Sequence, residues 1–350
     1  MTVPTQTLRP GYTTSRVIRG GWQLAGGHGP VDPIQQVEDM IAFADAGITS
    51  FDCADIYTGV EELIGAFRTA YSSARGVEAL ARVKVHTKLV PDLEALARVD
   101  RGYIRRIVET SLKRLRMERL HLVQFHWWDY EVSRYLDAAG WLNELRLEGK
   151  VDQIGGTNFD TARTLEMIEA GIPILSMQVQ YSLIDTRPER LLARAAQDNG
   201  FWIFCYGTVA GGFLSDRWLG QTEPLHPLEN RSLTKYKLII EDFGGWDLFQ
   251  VLLRTLRAIA DRHDTDIATV ASAAVLDRPA VAAVIVGARN RSHLAQNLKV
   301  ASLRLTEQDR AEIAAILAQG QVPEGDTYAL ERDRGGRHGQ IIKYNLNKAS

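Results

Sequence analysis

The chain has 350 residues, 45% of them hydrophobic, enough to bury the core of one α/β barrel. Its 41 basic and 43 acidic residues leave a net charge of −2, so no general field draws in nucleic acid or an anionic membrane. Two cysteines, Cys53 and Cys205, exclude a disulfide framework and point to a reducing, cytoplasmic setting. The opening MTVPTQTLRPGYTTSRVIRGG lacks the apolar segment of a secretory signal, and no apolar run is long enough to span a bilayer.

After a lead of residues 1–15, a mixed segment over 16–24 containing Gly20, Gly21 and Trp22 reads as a first strand. Gly26, Gly27 and Gly29 form a flexible loop. Asp32 and Pro33 then open a helix, with Ile34, Val37, Met40, Ile41 and Ala44 at helical spacing and Gly47 closing it. Residues 48–52 form a second strand, Tyr57 follows in a loop, and a helix runs through Leu63, Ile64 and Phe67. The cycle repeats with strands over 83–88, 120–126, 151–156, 174–178, 201–206 and 282–286, most of them separated by an amphipathic helix. Eight such strands with no compositional break favour a closed, parallel (β/α)8 TIM barrel over 1–350 as one domain. A doubly wound open sheet shares this periodicity and is the alternative.

Two stretches break the rhythm. Residues 207–247, after the seventh strand, carry Trp218, turn signals at Pro224 and Pro227 and no clear helix, a length suited to a lid or binding loop. Thr306 and Asp309 start a capped helix that ends at Gly320, and the polar tail of 319–350 either wraps the barrel or is partly disordered.

Chemistry in such barrels gathers at the C-terminal ends of the strands. Those ends carry Asp52, Lys88, His126, Thr157 with Asn158, Gln178, Tyr206 and Gly287. Alone, Asp52 with Lys88 reads as a structural ion pair, His126 as a core histidine and Tyr57 as rim packing. Together, a carboxylate holding a lysine against a phenol, with an imidazole opposite, form a proton donor aimed at a carbonyl oxygen. A free tyrosine titrates near 10, and a buried ammonium beside it is expected to lower that value. His126, as a neutral hydrogen-bond donor, is expected to orient the substrate oxygen. Lys84 and His86 share the face of Lys88, so either a bulge shifts the register or they lie below the site with further partners.

Other chemistries find less support. The eight histidines (His28, His86, His121, His126, His226, His263, His293 and His338) form no H-x-H pair, so no metal site is expected. No G-x-S-x-G elbow occurs, and the glycine loop at 26–29 does not fit G-x-G-x-x-G. The segment VGARNRSHLAQNL instead offers a glycine turn into a helix start with Arg289, Arg291 and His293, a ready phosphate site.

In order and spacing, FDCADIY, VHTK, LVQFH, IGGTN, MQVQYS and VIVGARNRSHLAQN resemble the aldo-keto reductases over roughly residues 16–317. The resemblance implies a barrel that binds NADP(H), with NAD(H) the other possibility, and transfers hydride to a small aldehyde or ketone. It implies Tyr57 as general acid, with Asp52, Lys88 and His126 completing a tetrad. Thr157, Asn158 and Gln178 would hold the nicotinamide carboxamide and Tyr206 would stack on its ring. Gly287, Arg289, Gln296 and Asn297 would bind the adenosine phosphate end. The loop from Gly207 would cover the pyrophosphate through Phe213, Leu214 and Arg217. Trp22, Trp127, Trp128 and Tyr130 suggest an aromatic substrate pocket. GGTN in place of G-x-SN, the lack of Pro-Leu after Tyr206, Val286 and His293 depart from the family pattern, so NADP rests on Arg289 and Arg291. A sugar dehydrogenase on the same scaffold and a nucleotide-holding redox sensor are the alternative functions.

Overall fold

The computed structural model describes residues 3–26 and 29–347. Gly27 of the expected glycine loop and His28 among the histidines lie outside the described residues, as do 1–2 and 348–350. A hairpin of β1 (Thr5–Arg9) and β2 (Tyr12–Ser15) comes first. Eight strands follow: β3 (Val17–Gly20), β4 (Ser50–Asp52), β5 (Lys84–Leu89), β6 (Leu120–Phe125), β7 (Val151–Thr157), β8 (Ile174–Gln180), β9 (Trp202–Tyr206) and β10 (Val281–Gly287). They are parallel and close in the order β10-β3-β4-β5-β6-β7-β8-β9. Because β10 pairs with both β9 and β3, the open sheet is excluded. No helix among the described residues is long and apolar enough to cross a membrane.

The expected first strand stops short of residue 24, where the chain turns at Gly21 into a 3-10 turn, Trp22–Leu24. Gly21 is required there: its N–H donates to the Asp52 carbonyl at 2.8 Å, and a Cβ would sit 2.8 Å from that same oxygen. The lead of 1–15 is the hairpin, which stoppers the N-terminal end of the barrel. Leu8 and Tyr12 pack there with Ile18, Leu122, Leu175 and Phe204. Thr14 Oγ1 donates to Ser50 Oγ at 2.8 Å, and the Trp202 indole N–H to the Leu8 carbonyl at 3.0 Å.

Outside the barrel, Asp32, Asp100, Asp160 and Asp266 each accept a backbone N–H at a helix start. The apolar helix faces then bury against outward strand residues such as Phe51, Val85, Val123 and Ile154. The long connection differs from expectation. The helix Arg231–Phe243 fills its second half, and Gly245–Arg262 begins before its expected end. Leu233, Tyr236, Ile240 and Phe243 recur at steps of three and four, a helical period that the flanking prolines and charges obscure in the sequence. These helices, with Phe213, Leu214 and Ile313, form a second apolar core.

The register from β4 through β6 is unbroken, so no bulge relieves Lys84 and His86. Both lie below the strand ends. His86 is fully buried, its ring 5.3 Å from that of Phe204 and 6.4 Å from that of Tyr12, and burial lowers its pKa to about 4, so it is neutral. Lys84 sits half-buried at the base, 5.7 Å from the centre of the Tyr12 ring.

The described part of the tail wraps the barrel. Asp326 accepts the Thr161 N–H at 2.7 Å, and Arg332 donates to the carbonyls of Trp127 (2.6 Å), Trp128 (2.8 Å) and Asn158 (2.8 Å). Asn347 Nδ2 reaches the Val90 carbonyl at 2.8 Å. Glu331, fully buried, takes two hydrogen bonds from Arg187 at 3.0 and 3.2 Å, while Asp185 holds the other edge of that guanidinium at 2.7 and 2.8 Å. Burial alone would raise the Glu331 pKa, but the charges of Arg187 and Lys235 outweigh it and lower the value to about 2. A folded value below the ~4.3 of free glutamate stabilises the fold above that pH, and this contribution is lost as pH falls from about 4.3 toward 2. Glu331→Gln should therefore destabilise the protein by about 3 kcal/mol near neutral pH and reduce its acid sensitivity below about pH 4, both read from denaturation midpoints across pH.

Candidate functional site

At the C-terminal mouth, Lys88 Nζ lies 2.6 Å from Asp52 Oδ2 and 2.9 Å from the Cys53 carbonyl. The two side chains are only 6% and 5% exposed. Asp52 Oδ1 accepts from Gln178 Nε2 at 2.6 Å and from Gln124 Nε2 at 3.0 Å. Gln178 also donates to Gln124 Oε1 at 2.8 Å. Burial by itself would lower the Lys88 pKa, yet the Asp52 carboxylate more than compensates and the value rises above the ordinary lysine range. The ammonium thus stays charged inside the barrel.

Tyr57 is set by a turn in which its N–H donates to the Ala54 carbonyl and its own carbonyl accepts from Val60. Asp55 ties this turn to the strand beside it, accepting the Ile56 N–H at 2.9 Å and the Val90 N–H at 3.0 Å. The Tyr57 ring centre lies 5.0 Å from Lys88 Nζ and 5.1 Å from the Trp22 ring. The expected fall in its pKa is not what results. Burial raises the value, and Lys88 opposes that rise without reversing it. The phenol is a protonated group at neutral pH.

His126 is 2% exposed, and burial followed by the charge of Arg332 lowers its pKa to about 3, so the ring is neutral. Its Nδ1 lies 2.9 Å from the Thr157 carbonyl oxygen. A carbonyl can only accept, so Nδ1 carries the ring's one proton and Nε2 presents a lone pair. The expectation that His126 donates to a substrate oxygen is corrected accordingly. Nε2 has no hydrogen-bond partner among the described residues.

Next along the mouth, Asn158 takes a left-handed backbone, φ 61°, which asparagine tolerates, and its Oδ1 accepts from the Tyr206 hydroxyl at 2.9 Å. Trp128 meets His126 edge-on, ring centres 4.2 Å apart. Trp127 does not join it. Alternation along the chain turns its ring outward, fully buried against Phe125, with its indole N–H on the carbonyls of Asp129 and Val132, so it is no pocket wall. Trp22, 41% exposed, stays at the rim. Gln124 was missed, although inward positions at 122, 124 and 126 alternate with period two. Tyr328, Arg332 and Lys235 also line the mouth. Tyr328 lies 5.8 Å from the His126 ring, and Lys235 is 5.3 Å from the Tyr206 ring centre and 5.6 Å from that of Tyr328. They come from the tail and the long connection, where no strand register placed them.

The aldo/keto reductase family model matches residues 16–318. The chain belongs to the aldo/keto reductase family. It is 27% identical over 338 residues to a probable aldo-keto reductase 1 of Glycine max, covering 93% of this chain and 92% of that one. To an NADH-specific methylglyoxal reductase of Escherichia coli it is 23% identical, covering 85% and 93%. The crystal structure of the thermostable aldo-keto reductase Tm1743 superimposes with a TM-score of 0.69 at 25% identity, covering 89% of this chain and 99% of that one. The chain is thus an oxidoreductase of this family, whose members generally bind nicotinamide cofactors.

The residues present fit such a group. Gln296 Oε1 and Asn297 Nδ2 are buried with no partner among the described residues, and Gly287 leads the turn before them. Arg19 and Gln36 hold the carbonyls of Ala288 and Arg289, which fixes that turn. Arg289 has no carboxylate partner among the described residues, whereas Arg291 lies 3.5 Å from Asp39. At Gly207, φ 74°, a Cβ would collide with the Tyr236 hydroxyl, so glycine lets the helix Arg231–Phe243 approach. Leu214 departs from expectation: its side chain fills the second core with Phe213 and its N–H bonds the Val209 carbonyl, which removes both from contact with a ligand. Arg217 is mostly exposed and lies 3.7 Å from Glu229.

Removing either partner of the buried pair tests which one the floor needs more. Asp52→Asn leaves the Lys88 ammonium with the Cys53 carbonyl, while Lys88→Met leaves Asp52 still bonded to two amides. Asp52→Asn should cost about 3–5 kcal/mol in urea unfolding, and Lys88→Met distinctly less.

Proposed function

We propose that this oxidoreductase reduces an aldehyde or ketone to an alcohol, with NADPH as reductant and Tyr57 as proton donor. The observation that carries this reading is the buried Asp52–Lys88 pair lying against Tyr57, beside a neutral His126. When bound, the dihydronicotinamide supplies a hydride to the carbonyl carbon. Thr157, Asn158 and Gln178 position its carboxamide, and Tyr206 lies against the ring. Tyr57 gives its proton to the carbonyl oxygen as negative charge develops there. A phenol titrating above 10 is still far more acidic than an alcohol, whose pKa is near the ~16 of water, so the transfer runs downhill. Lys88 stabilises the phenolate left behind, and Asp52 holds Lys88 charged and in place.

The choice of NADPH turns on Arg289, since one relative is NADH-specific and Arg291 is engaged with Asp39. A 2′-phosphate gives the free guanidinium a charged partner.

Tyr57→Phe should lower kcat for carbonyl reduction by about 10²- to 10⁴-fold while leaving cofactor affinity intact, measured by stopped-flow reduction and fluorescence titration. Wild-type turnover in that variant would remove Tyr57 from the acid role. Because burial raises its pKa, reduction by the native enzyme should stay level through neutral pH and decline only above about pH 10. Arg289→Ala should weaken NADPH binding about tenfold more than NADH binding, and equal losses for the two would refute the 2′-phosphate assignment.

A further inference from the structure

Two polar atoms in the mouth are buried without a partner among the described residues, and they are opposite in kind. His126 Nε2 is an acceptor, because Nδ1 holds the proton against the Thr157 carbonyl. Trp128 Nε1 is a donor. They belong to rings packed edge-on with centres 4.2 Å apart. The backbone fixes both. The His126 N–H donates to the Leu89 carbonyl at 3.0 Å, and Arg332 pins the Trp128 carbonyl at 2.8 Å.

A carbonyl oxygen answers only half of this pair: it accepts from an indole N–H and meets the imidazole lone pair with a lone pair of its own. A hydroxyl group answers both halves, donating to one ring and accepting from the other. His126 stands just past the end of β6 and Lys88 on β5, neighbouring strands about 5 Å apart, so such a hydroxyl falls within a carbon or two of a carbonyl held at Tyr57. We infer that the site selects carbonyl compounds bearing a hydroxyl next to the carbonyl, hydroxyaldehydes or hydroxyketones, with that hydroxyl bound between His126 Nε2 and Trp128 Nε1. This specificity rests on the reductase reading above.

A site built around a substrate hydroxyl discriminates strongly against the analogue that lacks it, because its own buried polar atoms are then left unmatched. The test is kcat/KM for size-matched pairs, glycolaldehyde against propanal and hydroxyacetone against butanone, with whichever nicotinamide supports turnover. The hydroxylated member should be favoured by about 30-fold or more. Trp128→Phe, which keeps the ring and removes the N–H, should shrink that ratio several-fold. Equal efficiency within both pairs overturns this inference and leaves the reductase reading standing. Absence of turnover on every carbonyl overturns the reductase reading, and this one with it. Nitrogen-15 NMR of histidine-labelled protein gives a readout independent of activity: Nδ1 of His126 should be protonated and Nε2 bare, and the reverse tautomer overturns the inference.

Discussion

A charged lysine and a charged aspartate share a space from which water is nearly absent, and the geometry of the mouth follows from keeping them there. Taking an ammonium and a carboxylate out of water is costly, and their attraction offsets this only when the remaining hydrogen-bonding capacity is also met. Here it is: Asp52 receives Gln124 and Gln178 on one oxygen and Lys88 on the other, and Lys88 also meets the Cys53 carbonyl. These donors come from β4, β5, β6 and β8, so the pair can exist only if the sheet is closed. Closure in turn depends on small residues where strands and turns touch, of which Gly21 against Asp52 is the tightest near the site.

The pair sets the electrical character of its neighbours in unequal ways. Tyr57 feels Lys88 but feels burial more, so the phenol keeps its proton. His126 responds to burial and to the Arg332 charge by staying neutral. The site therefore combines one fixed cation, one protonated phenol and one imidazole lone pair, three groups that do not exchange roles near neutral pH.

Much of this was legible in the sequence because two periodicities and the strand ends carry it. Asp52, Lys88, His126 and Gln178 fall at the ends of segments that alternate apolar and polar residues, and closure brings those ends together whatever the loops do. What the sequence obscured depends on non-local geometry. The side of the chain on which Trp127 emerges is fixed by alternation past the strand end, and the interior of Phe213 and Leu214 by helices some thirty residues later. Which nitrogen of His126 bears the proton depends on a carbonyl of the next strand. The sign of the Tyr57 shift is a contest between depth and charge that no motif records. Lys235, Tyr328 and Arg332 arrive from segments whose paths are set by contacts such as Glu331 with Arg187, which have no local signature.

The hairpin at the start of the chain has a kinetic corollary. With Leu8 and Tyr12 seated in one end, the interior is a blind well with a single doorway. Whatever rests deepest, against the Asp52 floor, must enter ahead of anything seated above it and depart after it. Sequential rather than random traffic is thus written into a β-turn on the opposite side of the molecule from where the molecules pass.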